Sequence, residues 1–267
     1  MRAYITLLSN DAYLPGVQVL YRSLKAVGTK YPLYCVLSVS VNQNTEQVLE
    51  KEGISCIRLF RSVVEQEVNP QGKGFSHWNY TFDKLLVWGL TQFAKVVFLD
   101  SDMLIVRNID HLFERDAFSA VAADHSFPGN ELWTGGLNSG LMVIKPDRKI
   151  ENGLLAMIKP TVDEARRDGR LVGDQDVVKF FLNDWNKQLS LHLDEGYNVF
   201  ADHLTYYIHQ LGYSLKGMKG KPIYVVHFIG KTKPWMKKSF RQYVWLCRMC
   251  LKNPYYIIVY RKFINCL

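Results

Sequence analysis

The chain has 267 residues, of which 48% are hydrophobic and 13% aromatic, a composition typical of a globular protein with a sizeable core. It excludes disordered, collagen-like and disulfide-scaffold proteins. The net charge of +8 is unevenly placed: residues 231–267 contain nine Lys/Arg and no Asp or Glu, which leaves 24 basic and 25 acidic residues before them. This asymmetry argues against a nucleic-acid enzyme, whose basic residues usually cover the binding face.

The cysteines and the apolar runs predict a cytoplasmic protein. The five cysteines are odd in number and irregularly spaced, so reduced thiols are expected. The first apolar run, residues 3–8, is too short for a signal peptide and predicts a buried strand instead. No segment offers the roughly 20 consecutive apolar residues that a membrane-spanning helix needs.

Short β-rich apolar runs alternate along the chain with segments of helical periodicity. The predicted strands are residues 3–8, 33–39, 54–60, 95–99, 119–123, 140–144 and 223–228. The predicted helices are residues 17–26, 45–52 with Thr45 as the N-cap, 80–93 and 154–167. This alternation predicts an α/β fold with a mostly parallel, doubly wound sheet, in which ligands bind beyond the carboxyl ends of the strands. We expect one such domain over residues 1–236 and an appendage over residues 237–267.

Two aspartates, Asp100 and Asp102, directly follow the predicted strand 95–99, with Ser101 between them. In extended backbone, side chains two residues apart point to the same face. Their carboxylates repel each other unless a cation or hydrogen bonds compensate, and carboxylate oxygens suit Mg²⁺ or Mn²⁺. The alternative is that the pair caps a turn or binds Lys or Arg, since Asp-x-Asp is common by chance. The buried strand before the pair favours the metal.

A histidine, His227, ends another apolar strand, and Gly230, Lys231 and Lys233 follow it. Alone, such a histidine is more often a core residue with satisfied hydrogen bonds than a ligand. The glycine, which allows close backbone approach, and the lysines, which suit phosphate, change this balance. We therefore expect a metal–diphosphate site in which His227 is the third ligand.

Six ordered motifs together resemble glycosyltransferase family 8, which includes glycogenins, galactinol synthases and bacterial envelope-glycan transferases. They lie at residues 6–13, 83–85, 98–102 with 108–113, 137–140, 173–175 and 227–235, and the resemblance spans about residues 2 to 235. The resemblance implies a GT-A fold and a retaining hexosyltransferase. It also implies Mn²⁺, or alternatively Mg²⁺, a UDP-sugar donor such as UDP-glucose or UDP-galactose, and a glycan or lipid-linked glycan acceptor.

The resemblance also implies roles for individual residues. The implied metal ligands are Asp100, Asp102 and His227. The implied donor-binding residues are Leu7, Ser9, Asn10 and Tyr13 at uracil and ribose, Lys84 at phosphate or sugar, Ser101 between the metal aspartates, Asn138, Ser139, Asp174 and Gln175 at the hexose, and Gly230 and Lys233 at the diphosphate. The implied catalytic residues are Asp174, Gln175 and Lys233. We expect same-face substitution, in which the leaving phosphate helps to deprotonate the acceptor.

Taken singly, these residues also have structural interpretations. Tyr13 could pack in the core, and Lys84 could extend from an apolar helix to solvent. Residues 138–140 could form an ordinary turn, and Asp174 could begin a helix, where the helix dipole favours acids. Residues 69–79 align poorly with the family and are predicted to be a lid or specificity loop.

Two other functions remain open. A self-glucosylating primer would need a reactive tyrosine, for which Tyr206 and Tyr207 are candidates, but their spacing to His227 is longer than in glycogenin. A non-catalytic protein that binds sugar nucleotides or membranes is disfavoured by five intact residues, which are Asp100, Asp102, Asp174, His227 and Lys233.

The tail, residues 237–267, interleaves basic and aromatic residues. This composition suits the surface of an anionic membrane, so we expect peripheral association with the cytoplasmic face. The alternative is a helical cap packed on the domain. Cys247 and Cys250 have metal-like spacing but no second pair, which favours one face of a helix.

Overall fold

The computed structural model describes residues 1–64, 76–123, 136–217, 219–230 and 232–267, with the backbone alone at 76–80 and 123. The predicted specificity loop at 69–79 therefore lies mostly outside the described residues, and so does Lys231. By internal packing the chain divides into two compact units. The first unit comprises Met1–Asp11, Tyr31–Leu99 and Leu112–Leu193; the second comprises Ala12–Lys30, Asp100–His111 and Asp194–Leu267. The sequence domains 1–236 and 237–267 stay a prediction.

The described residues form strands, α-helices and short 3₁₀ helices. The strands are β1 (Arg2–Leu8), β2 (Leu33–Leu37), β3 (Ser55–Arg58), β4 (Lys95–Leu99), β5 (Met103–Ile105), β6 (Ser119–Ala123), β7 (Gly136–Ile144), β8 (His192–Leu193), β9 (Val199–Phe200), β10 (Tyr213–Ser214), β11 (Lys221–Pro222) and β12 (Val225–His227). The α-helices are α1 (Leu14–Ala26), α2 (Gln43–Lys51), α3 (Arg148–Arg167), α4 (Asp174–Phe181), α5 (Leu204–His209), α6 (Phe240–Lys252) and α7 (Pro254–Asn265). The 3₁₀ helices are Asp11–Tyr13, Ser76–Gly89, Asp110–Glu114, Trp185–Lys187, Leu189–Leu191, Glu195–Tyr197 and Ala201–His203.

The first unit is built on one sheet with the strand order β3-β2-β1-β4-β7-β6-β8. Strands β1, β2, β3 and β4 pair in parallel, as do β6 and β8, whereas β7 runs antiparallel to both β4 and β6. The prediction of a mostly parallel sheet is confirmed. Central strand β4 is apolar and buried from Val96 to Leu99, because elements cover both of its faces.

The second unit contains a three-stranded sheet in the order β5-β12-β9 and the two-stranded pair β10–β11. Strand β12 runs antiparallel to β5 and parallel to β9. The predicted strand 223–228 is therefore present, but shorter, and it belongs to this smaller sheet rather than to the large one.

Two local predictions were wrong. Helix α2 begins at Gln43 with Asn42 as its N-cap, because the hydroxyl of Thr45 donates instead to Asp11 at 2.6 Å. The predicted helix 80–93 is a 3₁₀ helix, Ser76–Gly89, followed by tight turns in which Leu90 and Phe93 donate to carbonyls three residues earlier.

The C-terminal helices differ in how they pack within the second unit. Helix α7 buries Tyr256, Val259 and Phe263 at helical spacing, and Phe263 stacks on Trp235. Helix α6 buries no residue. No helix among the described residues is long and apolar enough to cross a bilayer.

The hydroxyl of Thr6 in β1 is fully buried and has no hydrogen-bond partner among the described residues. A buried polar group without a partner costs about 1–3 kcal/mol, and valine has nearly the same shape. We expect Thr6→Val to raise the free energy of unfolding by about 1 kcal/mol, which raises the Tm by about 2–4 °C in calorimetry.

Thr45→Val is the matched control, since it removes a hydroxyl that does have a partner. It should lower the free energy of unfolding by about 1 kcal/mol. A Thr6→Val protein destabilised as much as Thr45→Val would show that the hydroxyl of Thr6 is satisfied.

Candidate metal centre and donor-binding residues

The β5–β12 ladder of the second unit brings Asp102 and His227 together. His227 pairs with Met103 in the antiparallel register, and the N–H of Phe228 donates to the carbonyl of Asp102 at 3.0 Å. The chain enters β5 through a tight turn in which Met103 N–H donates to the carbonyl of Asp100. Pairing of two backbones therefore places residues from distant parts of the sequence side by side.

Asp100, Asp102 and His227 each offer one ligand atom, and these atoms lie within 4.8 Å of one another. His227 Nε2 lies 2.9 Å from Asp102 Oδ1 and 3.9 Å from Asp100 Oδ2. An octahedral ion with bonds of about 2.1 Å places neighbouring ligand atoms about 3.0 Å apart and opposite ones about 4.2 Å apart. The distances from His227 to the two carboxylates therefore suit ligands of one divalent ion. The side chain of Asp100 is 27% exposed, so the centre is open to solvent on that side.

Asn198 fixes the orientation of the histidine, and the sequence analysis missed it. His227 Nδ1 lies 2.9 Å from the amide oxygen of Asn198, and both residues are buried. An amide oxygen only accepts, so the proton is assigned to Nδ1, which leaves the lone pair of Nε2 for a metal. Without a cation, that lone pair would face two carboxylates. Metal-binding histidines usually have this arrangement, in which the other ring nitrogen donates to an oxygen that fixes the ring.

Lys233 binds the other oxygen of the same aspartate. Its ammonium donates to Asp102 Oδ2 at 2.5 Å and to the carbonyl of Phe228 at 2.9 Å. Burial raises the pKa of Asp102, but the charge of the Lys233 ammonium outweighs it and holds that pKa far below its usual range. Burial lowers the pKa of Lys233, but the negative charge of Asp102 outweighs burial, so the pKa of the lysine is raised. Asp102 is thus ionised, with Oδ1 towards His227 and Oδ2 towards Lys233.

The segment after the histidine is held by aromatic packing. Trp235 donates from its indole to the carbonyl of Ala12 at 2.8 Å and packs edge-on against Tyr13. Gly230 has φ +88, in the left-handed region, and a Cβ there would meet no atom of the described residues within 4 Å. Its backbone therefore borders open space, as a diphosphate-contacting glycine requires. Tyr13 lies partly buried, beneath the ammonium of Lys233 at 5.8 Å.

A second polar cluster lies within the first unit. Lys84 Nζ is 3.0 Å from Asp174 Oδ2, and the hydroxyl of Ser139 donates to that same oxygen at 2.8 Å. The amide oxygen of Gln175 accepts the N–H of Ser139 at 3.0 Å. Lys84, Ser139 and Asp174 are buried, so Lys84 does not extend to solvent as the structural alternative proposed. The cluster unites four of the predicted donor-binding residues.

The structural alternatives for residues 138–140 and for Asp174 have opposite outcomes. Residues 138–140 lie in β7 rather than in a turn; Asn138 Oδ1 accepts the N–H of Gly140 at 2.8 Å. Asp174 does begin helix α4, with Gly173 as its N-cap, so the dipole and the ion pair with Lys84 both act on it.

The residues predicted at uracil and ribose lie at the end of strand β1 and just after it. Leu7 is buried in the core of the first unit, whereas Ser9 and Asn10 lie half-buried just beyond the end of the strand. The carbonyl of Ser9 accepts the hydroxyl of Ser40 at 2.7 Å. Ser101 is buried, and its carbonyl lies 2.5 Å from where a Cβ on Gly16 would be, so this contact requires glycine at position 16.

A buried carboxylate in the 83–85 motif was also missed. Asp83 is fully buried and accepts hydrogen bonds from the hydroxyls of Ser38 at 2.7 Å and Ser62 at 2.9 Å and from the N–H of Val63 at 2.8 Å. Asp83, which precedes Lys84 in the chain, therefore fixes the backbone at Ser62 and Val63. The sequence carries no signal for this role beyond an acid beside an apolar run.

Known proteins resemble the chain in sequence over most of its length. Glycogenin-1 of Caenorhabditis elegans is 34% identical over 236 residues, which are 87% of this chain and 50% of that protein. Glycogenin-1 of Mus musculus is 33% identical over 242 residues, 88% of this chain and 65% of that protein. The chain thus spans between half and just under two thirds of these relatives.

The fold has solved counterparts. The galactosyltransferase LgtC, solved with donor and acceptor sugar analogs, superposes with a TM-score of 0.61 at 16% identity, covering 89% of this chain and 90% of that one. This likeness identifies the GT-A fold. The sequence model of glycosyl transferase family 8 matches residues 4–239, which include the metal triad and the cluster around Asp174. The chain belongs to glycosyl transferase family 8.

Proposed function

We propose that this chain is a retaining hexosyltransferase that depends on Mn²⁺, or alternatively Mg²⁺, and transfers glucose or galactose from its UDP-sugar. The acceptor in this proposal is a glycan or a lipid-linked glycan. The observation that carries it is the convergence of Asp100, Asp102 and His227 at metal-ligand separations in a member of a glycosyltransferase family. Carboxylate oxygens and imidazole nitrogen are donors that suit Mn²⁺.

The metal, when bound to these three residues, would neutralise the diphosphate and the charge that grows on it as the sugar leaves. Lys233 supports the same task, because Asp102 and the carbonyl of Phe228 hold its ammonium in place. A cation fixed in advance stabilises developing charge without reorganising during the reaction. Gly230 leaves room for the diphosphate beside this ammonium.

The proposal assigns the donor hexose to Asp174 and Gln175. Asp174 Oδ2 already holds Lys84 and the hydroxyl of Ser139, so its negative charge is largely compensated. Compensation of its charge makes Asp174 a weaker nucleophile, while its carboxylate can still accept a hydrogen bond from a sugar hydroxyl. This favours same-face substitution over a double displacement through a covalent intermediate on Asp174.

Self-glucosylation is less well supported. Tyr207 is 3% exposed, and burial strongly raises the pKa of its phenol, so it offers no accessible nucleophile. Tyr206 is half-buried on the same helix, α5. Mass spectrometry of the protein after incubation with UDP-glucose and Mn²⁺ would show added hexoses if either tyrosine were the acceptor.

We also propose a cytoplasmic location, with the tail, residues 237–267, at the cytoplasmic face of an anionic membrane. Its support is the charge of the segment from Lys231 onward, which contains nine basic and no acidic residues. A membrane-bound enzyme would meet a lipid-linked acceptor directly.

The primary experiment measures UDP release from a panel of UDP-sugars with and without Mn²⁺. The proposal predicts release from one hexose donor, dependent on the metal and stimulated by a glycan acceptor. Binding of UDP-sugars without any release would favour a non-catalytic sugar-nucleotide-binding protein.

Asp102→Asn keeps the shape of the side chain but removes the charge that holds the metal and Lys233. We expect UDP release to fall by about 1,000-fold, since metal stabilisation contributes several kcal/mol and each 1.4 kcal/mol changes the rate tenfold. Asp163→Asn, on an exposed carboxylate of α3, is the control and should retain full activity.

Because Asp102 is buried, circular dichroism must show that its variant is folded. Asp100→Asn provides an independent test, since that side chain is more exposed. It should weaken Mn²⁺ binding and transfer together. Normal turnover in both folded variants would refute the metal assignment.

Asn198→Ala removes the hydrogen bond that orients His227. We expect Mn²⁺ affinity to fall by about 10–100-fold, the usual cost of losing such a partner, with activity largely restored at saturating Mn²⁺. Asn198→Asp keeps an acceptor oxygen and should retain tighter binding than the alanine variant. Equal Mn²⁺ affinity in the wild type and Asn198→Ala would show that the hydrogen bond does not position the ligand.

A further inference from the structure

Helix α6 carries apolar residues on the side that faces solvent, where a packed helix is normally polar. It starts at Phe240, directly after the residues matched by the family model, 4–239. None of its residues is buried, whereas α7 buries three. Its exposed apolar residues include Phe240 and Leu251, with 83% and 85% of their surfaces open.

The exposed apolar residues of α6 form one continuous stripe. At about 100° per residue, positions i, i+3, i+4, i+7 and i+11 share one face of a helix. These positions are Phe240, Tyr243, Val244, Cys247 and Leu251, and all five are exposed. We name this set the apolar stripe of α6. A stripe of this kind normally faces a core, and here it faces away from the described protein.

A basic stripe lies beside the apolar one. Arg241, Arg248 and Lys252 follow at i, i+7 and i+11, and all three are exposed. The opposite face is half-buried and holds uncharged residues: Gln242, Leu246, Met249 and Cys250. Helix α6 is thus an amphipathic helix with its packing face inward and its apolar and basic stripes outward.

We infer that α6 lies in the plane of an anionic membrane surface, with the apolar stripe inserted among the lipids and the basic stripe on the headgroups. A second copy of the chain fits this surface poorly. A twofold dimer would bring the same basic residues against each other, and no acidic residue occurs from Lys231 to Leu267 to compensate. Anionic headgroups supply that compensation.

This inference rests on the proposed membrane association of the tail and assigns it to one helix. Helix α7 is then the packed cap: its buried Phe263 stacks on Trp235, which contacts Tyr13. The two sequence interpretations of the tail therefore apply to different helices.

Sedimentation of the full chain with phosphatidylcholine vesicles, with and without phosphatidylglycerol, tests the inference. We expect binding only to the anionic vesicles. A basic residue at such a surface changes partition about fivefold, so Arg241→Gln with Arg248→Gln should lower it about 20-fold. Phe240→Ser with Leu251→Ser should lower it by more than about tenfold.

The matched control is Arg261→Gln with Lys262→Gln, which removes the same charge from exposed positions on α7. It should change partition by less than about threefold. An equal loss in this variant, vesicle binding unaffected by the α6 changes, or conversion of a wild-type dimer to a monomer by those changes would each overturn the inference. UDP release measured without vesicles is expected to be unchanged in every variant, so loss of membrane binding is distinguishable from failure of the proposed transfer.

Discussion

The antiparallel pairing of β5 with β12 is the constraint on which the candidate centre depends. Because His227 is opposite Met103 and the N–H of Phe228 reaches the carbonyl of Asp102, the imidazole and the carboxylate face each other without any flexible loop between them. Asp100 joins them through the tight turn that precedes β5. Backbone hydrogen bonds, rather than side-chain flexibility, thus define the ligand geometry. Such preorganisation matters because a ligand set displaced by an ångström loses much of its function.

The two oxygens of Asp102 contact different partners, and these contacts compensate the negative charge of the centre. Two aspartates and a histidine in a largely buried site would be unstable without cations. Lys233 satisfies one oxygen of Asp102, and the other oxygen faces His227. The lysine therefore occupies a different oxygen of Asp102 from the one that faces His227, which leaves that oxygen for an ion in the candidate site. The same ammonium is held at the place where the proposal needs a positive charge for the diphosphate.

Sequence reasoning succeeded where a pattern is local. Strand β4 could be predicted because the apolar run Val96–Leu99 leads into Asp100, and the +8 charge could be localised by simple counting. The mostly parallel sheet followed from the alternation of strands and helices. The family motifs implied His227 as the third metal ligand, and this role stays a prediction.

What the sequence could not supply depends on tertiary contacts. Asn198 is an ordinary polar residue until the β9–β12 pairing brings it to His227 Nδ1. Thr45 has the right identity for an N-cap, but Asp11, distant in sequence, takes its hydroxyl. The role of Asp83 likewise depends on partners elsewhere in the chain. The division of the tail between a packed α7 and an exposed α6 required knowing which residues are buried.

The most direct test of the central claim is anomalous diffraction near the manganese absorption edge, from crystals grown with Mn²⁺ and UDP. One strong peak is expected, bonded to Asp100, Asp102 and His227 Nε2, with His227 Nδ1 still donating to Asn198 and Lys233 still on Asp102 Oδ2. A manganese peak elsewhere in the chain, or an ordered UDP with no metal between these three side chains, would contradict it.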